Sequence, residues 1–228
     1  MPTFADKVIE FNKTLSFSGK LPKNIRIMNP FKENEEIIAI SECFYKKFYN
    51  DTKKRRLIIG INPGRLGAGA TGIPFTDTKR LNEICKIKID SISTHEPSSV
   101  FVYDLIAKYG GAKKFYQDFY INSMCPLGFI EKNEKDNWVN CNYYDHEELF
   151  KAMENFIIAN LKKQISFGID TSTCFVLGKK NAKYLHIINE TEKLFESMII
   201  LEHPRYIEQY QSKSKDKYIA TFLEKLSN

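Results

Sequence analysis

The sequence predicts an α/β fold: one domain over residues 1–228, built on a central four-stranded parallel sheet flanked by helices on both faces. Three observations predict it. Four short apolar runs read as buried strands: 57–61, 119–121, 174–177 and 198–201. Helical patterns of ten or more residues lie between them, the kind of crossover that parallel pairing requires. Each run stops at a residue suited to a turn or a site: Asn62 before Pro63, Asn122, Gly178, and His203 before Pro204.

The elements follow in order. Phe4 to Phe17 has Val8, Phe11 and Leu15 at helical spacing, and Glu33 to Tyr49 repeats the pattern with Ile37, Ile40, Phe44 and Phe48 on one side. These helices of the first 50 residues are expected to pack on the core. Leu21 to Pro30 reads as a connection. After the first strand, Gly64, Gly67, Gly69 and Gly72 make a loop whose backbone can approach a ligand closely. Thr76 or Asp77 can cap a short helix through Cys85, and Ser98 or Ser99 a helix from Val100 to Tyr109, closed by Gly110 and Gly111. Residues 86–98 are irregular, 123–128 a turn, and 131–144, with the single tryptophan Trp138, a polar loop. Asp145 is expected to cap a helix to about Phe167. Helices are also expected over Lys179 to Phe195 and Lys217 to Leu226.

Composition narrows the function. Hydrophobic residues make up 43% of the 228, enough for a packed core. No signal pattern and no run near the roughly 18 apolar residues of a membrane helix is present. The five cysteines form no C-x-x-C pair, which suits free thiols in a reducing cytoplasm. The net charge of +6 permits a nucleic-acid partner. Residues 51–90 hold nine basic and four acidic side chains, with Lys53, Lys54, Arg55 and Arg56 ahead of the first strand.

Ligands of parallel sheets bind beyond the carboxyl ends of the strands. Asn62, Asn122, Gly178 and His203 all fall there, with the glycine loop and Phe75 at its far end. Two amides, an imidazole and an aromatic plate on one rim suit a planar heterocycle. The literal G-x-G-x-x-G of residues 67–72 does not follow its strand directly and meets Pro74 instead of a helix, so it does not fit a dinucleotide site. His146 with Glu148 fits H-x-E, but the P-C-x-x-C of a zinc deaminase is absent.

The run from Gly60 through Asn62, Pro63 and Gly64 to Thr71, Gly72, Ile73, Pro74 and Phe75 resembles the first motif of the uracil-DNA glycosylase superfamily. The segment Phe119 to Asn122 with Cys125, Pro126 and Leu127 resembles its middle motif, and His203 with Pro204 the start of its last. The nearest branch is the single-strand-selective monofunctional (SMUG-type) one, in a bacterial subfamily. The resemblance implies hydrolysis of the N-glycosidic bond of uracil or a related deaminated base. It implies Asn62 and His203 as catalytic residues, Gly64, Ala68, Phe75 and Asn122 at the base, and Arg65, Arg205 and Tyr206 at the DNA. It implies DNA, single- or double-stranded, as partner, a cytoplasmic monomer, and neither metal nor organic cofactor. Two departures stand out: an extra residue between Asn122 and Cys125, and Arg205, Tyr206 and Ile207 where the family continues Ser-Pro-Arg. The second leaves a damage-binding protein without catalysis as the alternative.

Overall fold

The computed structural model describes residues 1–227. The strands are β1 (Ile25–Met28), β2 (Arg55–Gly60), β3 (Phe119–Ser123), β4 (Gly128–Lys132), β5 (Trp138–Cys141), β6 (Ile169–Leu177) and β7 (Ser197–Leu201). Four of them form the expected parallel sheet in the order β3-β2-β6-β7. The chain passes from β2 to β3 on one side and returns to β6 on the other. The carboxyl end of β2 is therefore the point where strand order reverses, and crevices open at such points. Strand β3 is buried along its whole length, as a sheet covered on both faces demands. One apolar core runs from Phe4 to Leu226.

A second sheet departs from the sequence reading. Strands β1, β4 and β5 pair antiparallel in the order β1-β4-β5. Strand β1 comes from the expected connection at 21–30, β5 from the expected polar loop at 131–144, and β4 starts at the end of the expected turn at 123–128 and runs into that loop. Each strand is short and partly wet, so neither shows an apolar run. A side-chain contact helps hold them: the Arg26 guanidinium lies 4.3 Å above the Trp138 ring.

Other boundaries moved for local reasons. Pro97 opens the helix Pro97–Tyr109 at its first position, where a missing N–H costs nothing, so Glu96 and not Ser98 or Ser99 precedes it. Gly110 closes that helix at φ 115°, as expected. Asp77 caps the helix Thr78–Glu83 through the Arg80 N–H. The helix Glu147–Ile165 starts after His146. Asp145 bonds the backbone N–H of Asn142 and does not cap it. Strand β6 begins five residues earlier than its apolar run, with a register shift opposite Arg56 and Leu57. Short helices at Ala112–Asp118 and Pro204–Tyr210 were not expected.

The basic cluster Lys53 to Arg56, whose two arginines open β2, is not one solvated face. Arg55 is 1% exposed. Its guanidinium bonds both carboxylate oxygens of Asp51 at 3.0 Å and the carbonyls of Lys53 and Tyr116. It also lies 4.8 Å from the rings of Phe4 and Tyr49. Arg56 stacks over Phe119 at 4.6 Å. Both sit at the amino end of the sheet, away from the strand tips.

Candidate active site

Beyond the tip of β2 lies a cleft of about 340 Å³. Its walls include Asn62, Gly64, Arg65, Ala68, Phe75, His203 and Arg205. Seven of the nine residues singled out in the sequence thus meet in one place. They arrive there because β2 and β7 end on the same edge of the sheet and the glycine loop folds back over it.

Asn62 is clamped at both ends of its amide. Its Oδ1 accepts the backbone N–H of Tyr143 at 3.0 Å, and its Nδ2 donates to the Cys141 carbonyl at 3.2 Å. These partners lie on and just after β5, in the segment expected to be a loop. The Tyr143 hydroxyl in turn donates to Asn181 Oδ1 at 2.8 Å, and Asn181 donates to the Gly60 carbonyl at 3.1 Å. A closed ring of hydrogen bonds therefore ties Asn62 to the end of its own strand. Asn140 adds a further tie, accepting the Arg65 N–H at 3.0 Å.

Phe75 is held in a left-handed conformation, φ 50°. For a residue other than glycine this costs about 1–3 kcal/mol and persists only where the surroundings enforce it. Here Thr71 Oγ1 donates to the Thr76 carbonyl at 2.6 Å, and the Thr76 hydroxyl bonds the buried Tyr103 hydroxyl at 3.0 Å. A Cβ on Gly60 would come 3.2 Å from two carbons of the Phe75 ring, so glycine there lets the ring lie on the strand end. The ring centroid is 6.0 Å from that of His203.

His203 presents a defined tautomer. Its Nδ1 accepts the Arg205 N–H at 3.2 Å, which leaves the proton on Nε2. Burial, then the neighbouring Arg205 charge, lowers its pKa from 6.5 to about 4. The ring is neutral at pH 7 and donates through Nε2. Lowering the folded pKa makes the unfolded chain the better proton binder between pH 6.5 and 4. The stability contributed by the neutral ring is complete above 6.5 and lost as pH falls toward 4. Thermal unfolding across that window should show a steeper acid loss for the wild type than for His203→Gln; equal slopes would contradict it.

Two expected site residues lie elsewhere. Asn122 is 8% exposed and faces a small cavity behind Pro63, Ala68 and Pro74, which also wall the cleft. Its Nδ2 donates to the Tyr120 hydroxyl at 2.6 Å, and its Oδ1 accepts the Ser123 N–H at 2.7 Å. Successive strand residues point to opposite faces, and Ser123 is the one that reaches the cleft. Tyr206 is 42% exposed on the helix Pro204–Tyr210, outside the cleft walls and against Tyr210.

Glu96, Asn140 and Asn142 also line the cleft and escaped the sequence reading. Their segments carry no periodicity, so nothing local marked them. Among the described residues, one group has metal-ligand character: Glu131, Cys141 and His146, with His146 bonded to Glu131 at 2.6 Å. None of the three side chains lines the cleft. The G-x-G-x-x-G run folds as the four-residue helix Ala68–Thr71, too short for a dinucleotide fingerprint helix.

The family profile described as "Uracil DNA glycosylase superfamily" matches residues 46–227. The chain belongs to the uracil-DNA glycosylase superfamily. A solved structure agrees: the chain is 53% identical to wild-type Pedobacter heparinus SMUG2, with a TM-score of 0.97, covering 100% of this chain and 98% of that one. The comparison with curated proteins returns no match. Membership makes this a DNA-repair glycosylase of the SMUG type. No helix among the described residues is long and apolar enough to cross a membrane.

Proposed function

We propose that this glycosylase is monofunctional: it takes uracil or a related deaminated base out of the DNA stack, hydrolyses its N-glycosidic bond and leaves an abasic site. The observation that supports it most is the shared cleft of Asn62, Phe75 and a neutral, Nε2-protonated His203. Unstacking a base costs a few kcal/mol, least for a mismatched or single-stranded one. Phe75 receives the base on its face. As the bond lengthens, charge moves onto the departing base. The Nε2–H of His203 donates to the developing oxyanion without first requiring a proton from solvent. Asn62, immobilised by Tyr143 and Cys141, orients the water.

Arg65 and Arg205 are exposed at the cleft and supply the charge that faces the phosphates. Tyr206, exposed beside Arg205, is placed to touch the strand outside the cleft. Asn122 can accept an imide N–H and donate to a carbonyl, which suits uracil and not cytosine. To do so it must be reached through the partition of Pro63, Ala68 and Pro74. We assign the chain to the cytoplasm as a monomer, in keeping with its free cysteines.

Base release from oligonucleotides carrying uracil, hydroxymethyluracil, hypoxanthine or xanthine, single-stranded and paired, tests the proposal. The expected result is release in the presence of chelator from at least one of them, with intact strands until alkali is added. Binding to all of them with release from none would favour a damage-binding protein.

A further inference from the structure

The hydrolysis leaves one proton without a destination. The attacking water must lose it, and neither proposed catalytic residue can accept it. An amide is not basic, and both ends of Asn62 are already hydrogen-bonded. His203 has its Nδ1 lone pair on the Arg205 N–H and a proton on Nε2. Arg65 and Arg205 have no lone pair to offer. Resting on the function proposed above, we infer that Glu96 is the general base that takes the proton from the attacking water.

The cleft itself carries the inference. Glu96 is the one acidic side chain among the described residues that line it. Its Oε2 is buried and hydrogen-bonds nothing among the described residues. A buried carboxyl oxygen without a partner is costly to keep and needs a reason. Glu96 has one in its place on the cleft wall, unlike Asn29, Gln164 and Glu208, whose oxygens without a hydrogen bond lie away from it. The backbone beneath it is fixed. The Glu96 N–H donates to Asp77 Oδ2 at 2.9 Å, and Ser99 Oγ donates to the Glu96 carbonyl at 2.7 Å. The carboxyl group lies on the bare Cα of Gly67: a Cβ there would stand 2.3–2.4 Å from its carbon and both oxygens. That glycine of the motif loop therefore gives the carboxyl its place at the cleft wall.

Its electrostatics agree. Burial first, then the charge of Asp77, raises the Glu96 pKa to about 7, against the pull of Arg205. Asp77 stays ionised despite its burial because the Arg80 and Glu96 N–H groups bond it, and the Arg80 guanidinium and exposed His95 sit beside it. His203 and Glu96 are thus pushed in opposite directions, the neutral donor and the base that an acid–base pair needs. The step balances. A water lone pair forms the C1′–O bond, and the C1′–N electron pair leaves with the base toward His203 Nε2–H. The water's proton passes to the Glu96 carboxylate, which returns it to solvent.

The test is single-turnover release from a uracil oligonucleotide between pH 5.5 and 8.5, for wild type, Glu96→Gln and Glu96→Asp. Anisotropy on an oligonucleotide with a tetrahydrofuran abasic analogue follows binding. The wild-type rate should rise with pH through a midpoint near 7 and level off above it, since only the ionised carboxylate accepts a proton. Glu96→Gln should lose about 10²-fold at the plateau, lose the pH limb, and bind the analogue within a few-fold of wild type. Glu96→Asp should keep the limb at a reduced rate. A Glu96→Gln chain with the wild-type rate, or a reduced rate that keeps the wild-type limb, overturns the role of Glu96 alone. A wild-type chain that releases no base from any deaminated substrate overturns the proposed function itself.

Discussion

Asn62→Ala should slow base release sharply while leaving a folded, DNA-binding chain. The expected loss is about 10²–10³-fold in single-turnover rate, the scale of removing one preorganised polar group from a reaction centre. The structural cost is of the same order. The Tyr143 N–H and the Cys141 carbonyl lose their partner, at about 1–3 kcal/mol each if no water replaces it. Circular dichroism and DNA affinity near wild type, with release slowed by that factor, is the predicted combination. His203→Ala should show a loss of similar size. The double variant should lose less than the product of the two, because both groups serve one transition state. Release by Asn62→Ala at the wild-type rate would remove Asn62 from the chemistry.

The largest stability effect should come from a residue far from the cleft. Arg55→Ala leaves Asp51 without its bidentate partner and the Tyr116 and Lys53 carbonyls without a donor. It also opens a void between Phe4 and Tyr49. The Asp51 carboxylate stays partly in water, so the cost comes from the two orphaned carbonyls and the void, about 3–5 kcal/mol together. In a chain of 228 residues that corresponds to a fall of about 10 °C in Tm. Arg55→Lys should recover only part of it, because an ammonium cannot span both oxygens of Asp51 as the fork does. Thermal unfolding within 2 °C of wild type, measured for Arg55→Ala, would contradict the assigned role.

The parallel sheet was legible because strands covered on both faces must be apolar throughout, and Leu57 to Ile59 or Phe175 to Leu177 can be little else. The rim followed from it: once the strands are parallel, Asn62 and His203 fall on one edge. What remained hidden was the antiparallel sheet. Strand β5 has intermediate or exposed residues up to Cys141, and its reason to exist is the partner strand β4, whose paired residues lie 6 to 12 positions earlier. Asn62 depends on β5 and the turn that follows it for the bonds that clamp the two ends of its amide. Half of the site's geometry was therefore set by pairing that no local pattern announces. Arg55 was hidden for a different reason. A run of Lys53, Lys54, Arg55 and Arg56 looks like a solvated patch, and only the fold reveals that Asp51, Phe4 and Tyr49 enclose its third member. Asn122 was placed on the correct strand end, yet its side chain turns to the small cavity behind the cleft, a matter of one-residue alternation at a strand tip.

The central claim is that this cleft hydrolyses the bond between base and sugar. The measurement that tests it most directly is mass spectrometry of the products from a uracil-containing oligonucleotide incubated in ¹⁸O-labelled water with wild type and with Asn62→Ala. The account predicts free uracil and an unbroken strand with one ¹⁸O at the abasic sugar from the wild type, and unchanged substrate from the variant. Unreacted substrate with the wild type, or a strand cut by elimination with no labelled abasic sugar, would contradict it.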